Sequence, residues 1–125
     1  MKKLSDTEFS IMKILWKHQE PMTSNEILEE VKDVIDWKLA SLMTTLARMA
    51  DKGYVHCDRS TRTNYYTAIV SEEQYKSDES ESLLEKLYDK SATKFIANLY
   101  KKDKLSKKEI SDLREYLDSL GKDGK

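Results

Sequence analysis

The spacing of apolar residues changes at Gly53, and this change restricts the folds open to the chain. Before Gly53, three segments carry apolar residues at the spacing of amphipathic helices: residues 6 to 18, the segment after Thr23 that ends near Val31, and WKLASLMTTLARMADKG at 37 to 53. After Gly53, YVHCD and TNYYTAIV are rich in strand-favouring β-branched and aromatic types. A polar RSTR segment separates these two runs, so we expect a hairpin that packs against the helices.

Local signals mark the ends of the predicted helices. Asp36 is the predicted N-cap of the third helix, and Gly53 stands where a left-handed glycine ends a helix. Downstream of Ser71 the chain is predicted to be helical almost to its end, with a bend near Asp89 to Ser91. Four capping boxes of the form S/T-x-x-E/Q precede helical segments: Ser5 with Glu8, Thr23 with Glu26, Ser71 with Gln74, and Ser106 with Glu109.

The third helix has two unlike faces. Its apolar seam is formed by Leu39, Leu42, Leu46 and Met49, whereas the opposite face carries Ala40, Ser41, Thr44 and Arg48, with Thr45 towards its edge. This outer face lacks Glu and Lys although 36% of the chain is charged. From Lys38 to Val70 there are five basic residues against two acidic ones, which is a local positive excess in a chain of net charge -1.

Three helices followed by a hairpin form the order of a winged helix-turn-helix, in which the third helix enters the DNA major groove. Small and hydroxyl side chains allow close approach to base edges and phosphates. The predicted fold is mainly α with a small β-hairpin, with a winged-helix DNA-binding domain at 1–70 and a helical dimerisation domain at 71–125. The alternatives are a third helix packed on both sides, or a winged-helix protein-interaction module without specific DNA binding. The predicted contacts to double-stranded operator DNA are Lys38, Ser41, Thr44, Thr45, Arg48, Arg59 and Arg62.

The helices after Val70 carry narrow apolar seams. About 55 residues with one-sided seams cannot bury a sufficient core alone, so we expect them to pair with a second copy. A twofold homodimer would present two recognition helices to a pseudo-palindromic site. The predicted dimerisation residues are Leu84, Leu87, Tyr88, Phe95, Leu99, Ile110, Leu113 and Leu117.

Several functional classes are not supported by the sequence. Cys57 is the only cysteine, and His18 and His56 lack spaced partners, so we expect no metal site and no cofactor. Without a Gly-rich phosphate loop or a nucleophile with an orienting base, the chain is not expected to be an enzyme. The N-terminus has no signal-peptide pattern and no stretch is long enough to span a membrane, which predicts a cytoplasmic protein without membrane insertion. Trp16 is predicted to lie in the core, and Trp37 either touches the DNA backbone or caps the core.

The sequence resembles the penicillinase repressors of the BlaI/MecI type. The carrying segments are LSDTEFSIMKILWKH, DWKLASLMTTLARMADKGYV, NYYTAIVSEEQY and FIANLYKKDKLSKKEISDLREYL, so the resemblance extends from about Leu4 to Leu120. It implies a homodimeric repressor whose winged helix binds an operator. It also implies relief of repression by a membrane-bound sensor metalloprotease that responds to β-lactam and cuts the dimerisation helices. The bond that matches the cleavage site is Asn98-Leu99.

This chain departs from the family pattern in three places. The resistance repressors usually open the recognition helix with Trp-Ser-Pro-Lys-Thr and place a further basic residue two positions later, whereas this chain reads WKLASLM. Each lost phosphate contact lowers the slope of the salt dependence by roughly 0.9, so a different operator is expected. Leu99 replaces the aromatic residue at the cleavage bond. The paired cysteines of the copper-responsive branch are absent, which excludes copper sensing through that cluster.

Overall fold

The computed structural model describes residues 3–122 of the 125-residue chain. The chain divides into two compact units, Met1–Ser77 and Asp78–Lys125. The boundary therefore lies inside a helix and not at Val70. In chain order the elements are α1 (Asp6–His18), β1 (Met22–Thr23), α2 (Ser24–Val31), α3 (Leu39–Asp51), β2 (Val55–Asp58), β3 (Tyr65–Ala68), α4 (Glu72–Leu87), α5 (Ala92–Lys101) and α6 (Lys107–Lys122).

The predicted capping boxes start α1 and α2. The Ser5 hydroxyl accepts from the Glu8 backbone N–H, and the Glu8 carboxylate accepts from the Ser5 N–H at 2.8 Å. Thr23 and Glu26 make the same reciprocal pair at the start of α2. These bonds satisfy backbone donors that the first turn of a helix leaves free, so both starts follow from local sequence.

The hairpin is part of a three-stranded antiparallel sheet, in the order β1-β3-β2. β2 and β3 pair from Val55 with Ala68 to Asp58 with Tyr65, as the sequence predicted. The two-residue β1 was not predicted, and it pairs Met22 with Tyr66 along the other edge of β3. A strand of two residues has no periodicity to detect, and its hydrogen-bond partner lies far along the chain.

The hydrophobic core of the first unit lies between the three helices and the sheet. Trp16 is buried there, as predicted, and its indole N–H donates to the Val70 carbonyl at 2.8 Å. The Tyr75 ring of α4 lies within 6.0 Å, between centroids, of the rings of Phe9, Trp16 and Tyr54, so the first turn of α4 belongs to this core. The buried apolar residues are Leu4, Ile11, Met12, Leu15, Trp16, Met22, Ile27, Val31, Leu42, Leu46, Met49, Tyr54, Val55, Tyr66 and Tyr75.

The prediction that Asp36 caps α3 is wrong. The Trp37 N–H donates to the Ile35 carbonyl at 3.1 Å, which places Asp36 in the middle of a tight turn. The helix begins after Lys38, which has extended backbone angles and makes no side-chain capping bond. At the other end, Gly53 has a φ of 86°, a left-handed conformation that glycine adopts without strain, as the sequence predicted.

In the second unit, the predicted bend near Asp89 is a complete break between α4 and α5. Asp89 and Lys90 both have positive φ, and Ser91 then caps α5 by accepting from the Lys94 N–H at 3.1 Å. The predicted box at Ser106 starts α6, where the Ser106 hydroxyl accepts from the Glu109 N–H at 3.1 Å. In the part of the chain that the structure describes, no helix is sufficiently long and apolar to cross a membrane.

Candidate nucleic-acid interface

The candidate interface is built on α3, whose two faces differ as the sequence predicted. Leu42, Leu46 and Met49 are fully buried and fix the helix on the core of the first unit. Along the opposite side, Ser41, Thr44 and Arg48 form one exposed row at the i, i+3, i+7 spacing, which we call the polar row. Because the seam is anchored at three successive turns, the polar row is held on a rigid support.

A second exposed row lies beside the polar row. Ala40, Met43 and Ala47 recur at the same spacing, and Met43 is 39% exposed. We call these three residues the apolar strip. Of these three residues, the sequence analysis had assigned only Ala40 to the outer face of the helix. Within Leu39–Asp51, the only charged side chains are Arg48 and Asp51.

The hydroxyls of α3 are partly committed within the helix. Thr44 donates to the Ala40 carbonyl at 3.0 Å, so its exposed side chain offers a methyl group and acceptor lone pairs. Thr45 is only 8% exposed and donates to the Ser41 carbonyl at 3.0 Å. The structure therefore places Thr45 on the buried side of the polar row, away from the other predicted contacts.

The C-terminal end of α3 is tied to α1 by a largely buried ion pair. The Lys52 ammonium lies 2.7 Å from the Glu8 carboxylate, which is the same group that caps α1. Burial raises the pKa of Glu8, but the hydrogen bond and charge of Lys52 together with the bonds from Ser5 outweigh it, and the pKa lies below its ordinary value. Sequence reasoning missed this pair because its members are 44 positions apart.

Two further cations lie at the tip between β2 and β3. Arg59 and Arg62 are both exposed. The tip is ordered by the Ser60 N–H, which donates to the Asp58 carboxylate at 2.9 Å and lowers the pKa of Asp58. The Thr61 hydroxyl also donates to the Thr63 carbonyl at 2.8 Å. The two guanidinium groups therefore project from a short loop with its own hydrogen bonds.

The two residues that precede α3 differ in their exposure. Lys38 is exposed at the N-cap. Trp37 is half-buried and packs against the core, which favours the capping role over a purely external one. The interface as described thus combines the polar row, the apolar strip, Lys38 and the two arginines of the hairpin tip.

The second unit presents its predicted dimerisation residues with little burial. Among residues 78–121, the part of this unit whose side chains the structure describes, none is buried. Leu87 and Leu117 are 65% and 53% exposed. The ring centroids of Tyr88 and Phe95 lie 5.3 Å apart, so these two aromatic side chains contact each other within the unit. Leu84, Phe95, Leu99, Ile110 and Leu113 are half-buried.

The predicted cleavage bond lies inside a helix. Asn98 and Leu99 lie in the C-terminal half of α5, and the Asn98 side-chain amide donates to the Tyr88 hydroxyl at 3.1 Å. Asn98 is exposed and Leu99 is half-buried. A protease that binds an extended segment would therefore require α5 to open locally.

Among residues 3–122, no group of three or more His, Cys, Asp or Glu side chains is arranged to hold a metal ion. His18 is instead paired with the Glu30 carboxylate, and Cys57 is half-buried against the core. Neither histidine nor the cysteine joins the surface of α3.

Comparison with known proteins assigns the chain to a family. The family model described as penicillinase repressor matches residues 4–119. The chain belongs to the penicillinase repressor family. This is a family of transcriptional repressors and not of enzymes, which confirms the resemblance read from the sequence.

Curated members of the penicillinase repressor family align along almost their whole length. The penicillinase repressor of Bacillus licheniformis is 31% identical over 115 residues, which are 92% of this chain and 89% of the relative. The methicillin resistance regulatory protein MecI of Staphylococcus aureus (strain N315) is 27% identical over 114 residues, covering 91% of this chain and 92% of the relative.

Solved structures of penicillinase repressors match the winged-helix part of this chain. The solution structure of the DNA-binding domain of the repressor BlaI covers 60% of this chain and 94% of that domain, with a TM-score of 0.51 and 32% identity. The Bacillus licheniformis BlaI monomeric form, in complex with the blaP half-operator, covers 59% of this chain and 89% of its own, with a TM-score of 0.50 and 30% identity. The predicted winged-helix fold is thereby confirmed, and the chain is a DNA-binding repressor.

Proposed function

We propose that the chain is a homodimeric repressor that binds a pseudo-palindromic operator through α3 and the hairpin tip. The observation that carries this proposal is the exposed face of α3, which presents hydroxyl groups, methyl groups and Arg48 but no carboxylate before Asp51 within the helix. Such a surface can approach base edges without repelling the phosphates beside them. The related BlaI forms a complex with the blaP half-operator, which supports operator DNA as the ligand of this chain.

The proposed contacts divide into two kinds. Ser41, Thr44 and Arg48 lie in one row and are proposed to meet base edges or adjacent phosphates. Lys38, Arg59 and Arg62, at the two margins of the interface, are proposed to hold the sugar-phosphate backbone. Thr45 is left out of this set because its side chain is buried.

Dimerisation through the second unit is supported by its lack of a core. A folded unit without a buried side chain among its described residues has apolar surface that a second copy can cover. The proposed interface includes Leu84, Leu87, Tyr88, Phe95, Leu99, Ile110, Leu113 and Leu117. A twofold dimer would place its half-sites about one helical turn apart, or a multiple of it.

The test is fluorescence anisotropy of the purified full chain with the duplex upstream of its own gene. A scrambled duplex of the same composition serves as the control, and both are measured at two salt concentrations. Preference for the upstream duplex that persists at the higher salt is the expected result. The absence of binding to either duplex at low salt would contradict the proposal and favour a protein-interaction module.

We further propose that repression is relieved by a membrane-bound sensor metalloprotease. In this proposal the repressor acts in the cytoplasm. The candidate bond is Asn98-Leu99, whose position in α5 requires local opening before cleavage. Mass spectrometry of the repressor from β-lactam-treated cells would detect a fragment that ends at Asn98. Induction of the target genes with the chain intact would contradict proteolytic relief.

A further inference from the structure

The exposed face of α3 has an apolar half that the hydrogen-bonding contacts of a repressor do not use. Viewed along the helix, the apolar strip of Ala40, Met43 and Ala47 lies beside the polar row within one exposed surface. Met43 is 39% exposed, although the same chain buries Met12, Met22 and Met49. An apolar strip next to a DNA-contacting row would enter the major groove together with it.

The major groove offers one apolar group for such a strip, the C5-methyl of thymine. Ala40 and Ala47 carry only a methyl group, so the helix backbone can approach closely on either side of Met43. The methionine side chain is unbranched and polarisable, and it adapts to irregular apolar surfaces. The strip is about 10 Å long, a distance that corresponds to about three base pairs.

Hydrogen-bond readout from α3 is correspondingly limited. Arg48 is the only basic side chain within Leu39–Asp51, so one bidentate contact to guanine is available from the helix body. The Thr44 hydroxyl already donates to the Ala40 carbonyl, so it can only accept from a base. The exposed Ser41 adds one further hydroxyl, so these few polar groups leave a part of the discrimination between bases that apolar contacts would supply.

We propose that the apolar strip Ala40, Met43 and Ala47 reads thymine methyl groups, with Met43 as the specificity-determining residue. The inference rests on the proposed function and names the bases that this helix selects: one to three thymines in each half-site, next to the base contacted by Arg48. Replacing thymine by uracil removes only the methyl group and leaves base pairing and the hydrogen-bond pattern in place. Uracil substitution is therefore a direct probe of the strip.

The experiment starts with a duplex that the full chain selects from a random-sequence pool. The selected duplex is then synthesised with deoxyuridine at each thymine in turn, and the dissociation constant of each version is measured. Loss of one methyl contact is expected to weaken binding about 4-fold at one to three thymines of each half-site. Thymines outside the protected half-sites serve as controls and should show no change.

Variants then assign the effect to Met43. For each thymine, the ratio compares the dissociation constant of the uracil duplex with that of the thymine duplex. In Met43→Gln, a polar side chain of similar length replaces methionine, and this ratio should fall to about 1 at the thymine that Met43 contacts. Met43→Leu, which stays apolar, should keep a ratio above 1. Val34→Gln makes the same kind of polar change at an exposed apolar residue between α2 and α3, and it should leave every ratio unchanged.

The outcomes separate this inference from the proposed function. Selection of a specific duplex that binds equally well with uracil at every thymine overturns the inference and leaves the repressor proposal standing. A thymine preference that Met43→Gln leaves intact also overturns it, because the reading residue would then lie elsewhere. If the pool yields no preferred duplex at either the lower or the higher salt concentration, both proposals are wrong.

Discussion

Lys52 and Glu8 are joined by a 2.7 Å ion pair that connects the end of α3 to the first turn of α1. The Glu8 side chain is only 5% exposed and that of Lys52 is 23% exposed, so water screens this pair less than it would a surface pair. Glu8 also accepts from the Ser5 N–H at the start of α1. One carboxylate thus orders the start of α1 and holds the C-terminal end of α3 against it.

Removing the cation should destabilise the first unit. In Lys52→Met, the Glu8 carboxylate stays buried with only the Ser5 partners, and we expect the free energy of unfolding to fall by about 2 kcal/mol. Urea denaturation followed by tryptophan fluorescence measures this change, because Trp16 and Trp37 both lie in the first unit.

The matched control for this prediction is a surface ion pair of the same unit. Lys32 and Glu29 lie 2.9 Å apart with both side chains more than half exposed, so Lys32→Met should cost less than about 1 kcal/mol. Equal urea midpoints for Lys52→Met and Lys32→Met would show that the buried pair does not stabilise the unit.

Glu8 should also make the stability depend on pH in the acid range. Its pKa is lower in the folded state than its ordinary value, so the stabilisation is complete above that value and is lost as the pH falls through the folded pKa. We expect Glu8→Gln to be less stable than the wild type at pH 7, and the difference to shrink as the pH falls below the ordinary value of 4.5. Thermal unfolding of both proteins from pH 7 into the acid range checks the convergence.

Glu30→Gln is the comparison for the acid range. Burial raises the pKa of Glu30, but its bonds to His18 and Lys17 lower it by more, so the sign is the same as for Glu8. Since the Glu30 side chain is 31% exposed, its contribution should be smaller. A pH profile that Glu8→Gln shares with the wild type would contradict the role assigned to Glu8.

Arg48 and Arg62 should differ in what their removal changes. Arg48→Ala is expected to weaken operator binding by about 1–3 kcal/mol, with a much smaller effect on a scrambled duplex. Arg62→Ala should weaken both duplexes alike and lower the slope of the salt dependence by about 0.9. Anisotropy titrations over a range of salt concentrations measure both quantities.

Lys76→Ala is the control for the arginine variants, because it removes one exposed positive charge from the start of α4. Circular dichroism should show the wild-type fold in all three variants, since each side chain is exposed. If Arg48→Ala binds the operator as tightly as Lys76→Ala does, α3 is not the recognition helix.

The sequence predicted the elements whose causes are local. The capping residues Ser5, Thr23 and Ser106 act within one helical turn, and Gly53 acts through its own φ, so each was correctly placed. β1 was missed because its pairing depends on Tyr66, far along the chain. Strand pairing between distant residues depends on the tertiary fold, which the spacing of apolar residues along the sequence does not predict.

The candidate site shows the same division between local and long-range causes. Helical spacing correctly separated the seam of α3 from Ala40, Ser41, Thr44 and Arg48. Thr45 was expected towards the edge of the outer face and is buried. At an edge position, burial depends on the tertiary packing around the helix, which a spacing rule does not contain. For the same reason, the exposure of Met43 and the partner of Lys52 became apparent only in the fold.

The narrow seam of α6 should decide the oligomeric state. Leu117 is 53% exposed within the chain, so Leu117→Glu can be folded as a monomer but would bury an unpaired carboxylate in a dimer. We expect sedimentation velocity to show a shift from dimer towards monomer. Ser111→Glu adds the same charge to an exposed position of α6 outside the seam and should stay dimeric. A wild-type chain that sediments as a monomer, or a Leu117→Glu chain that stays dimeric at the same concentration, would contradict a dimer interface that includes this seam.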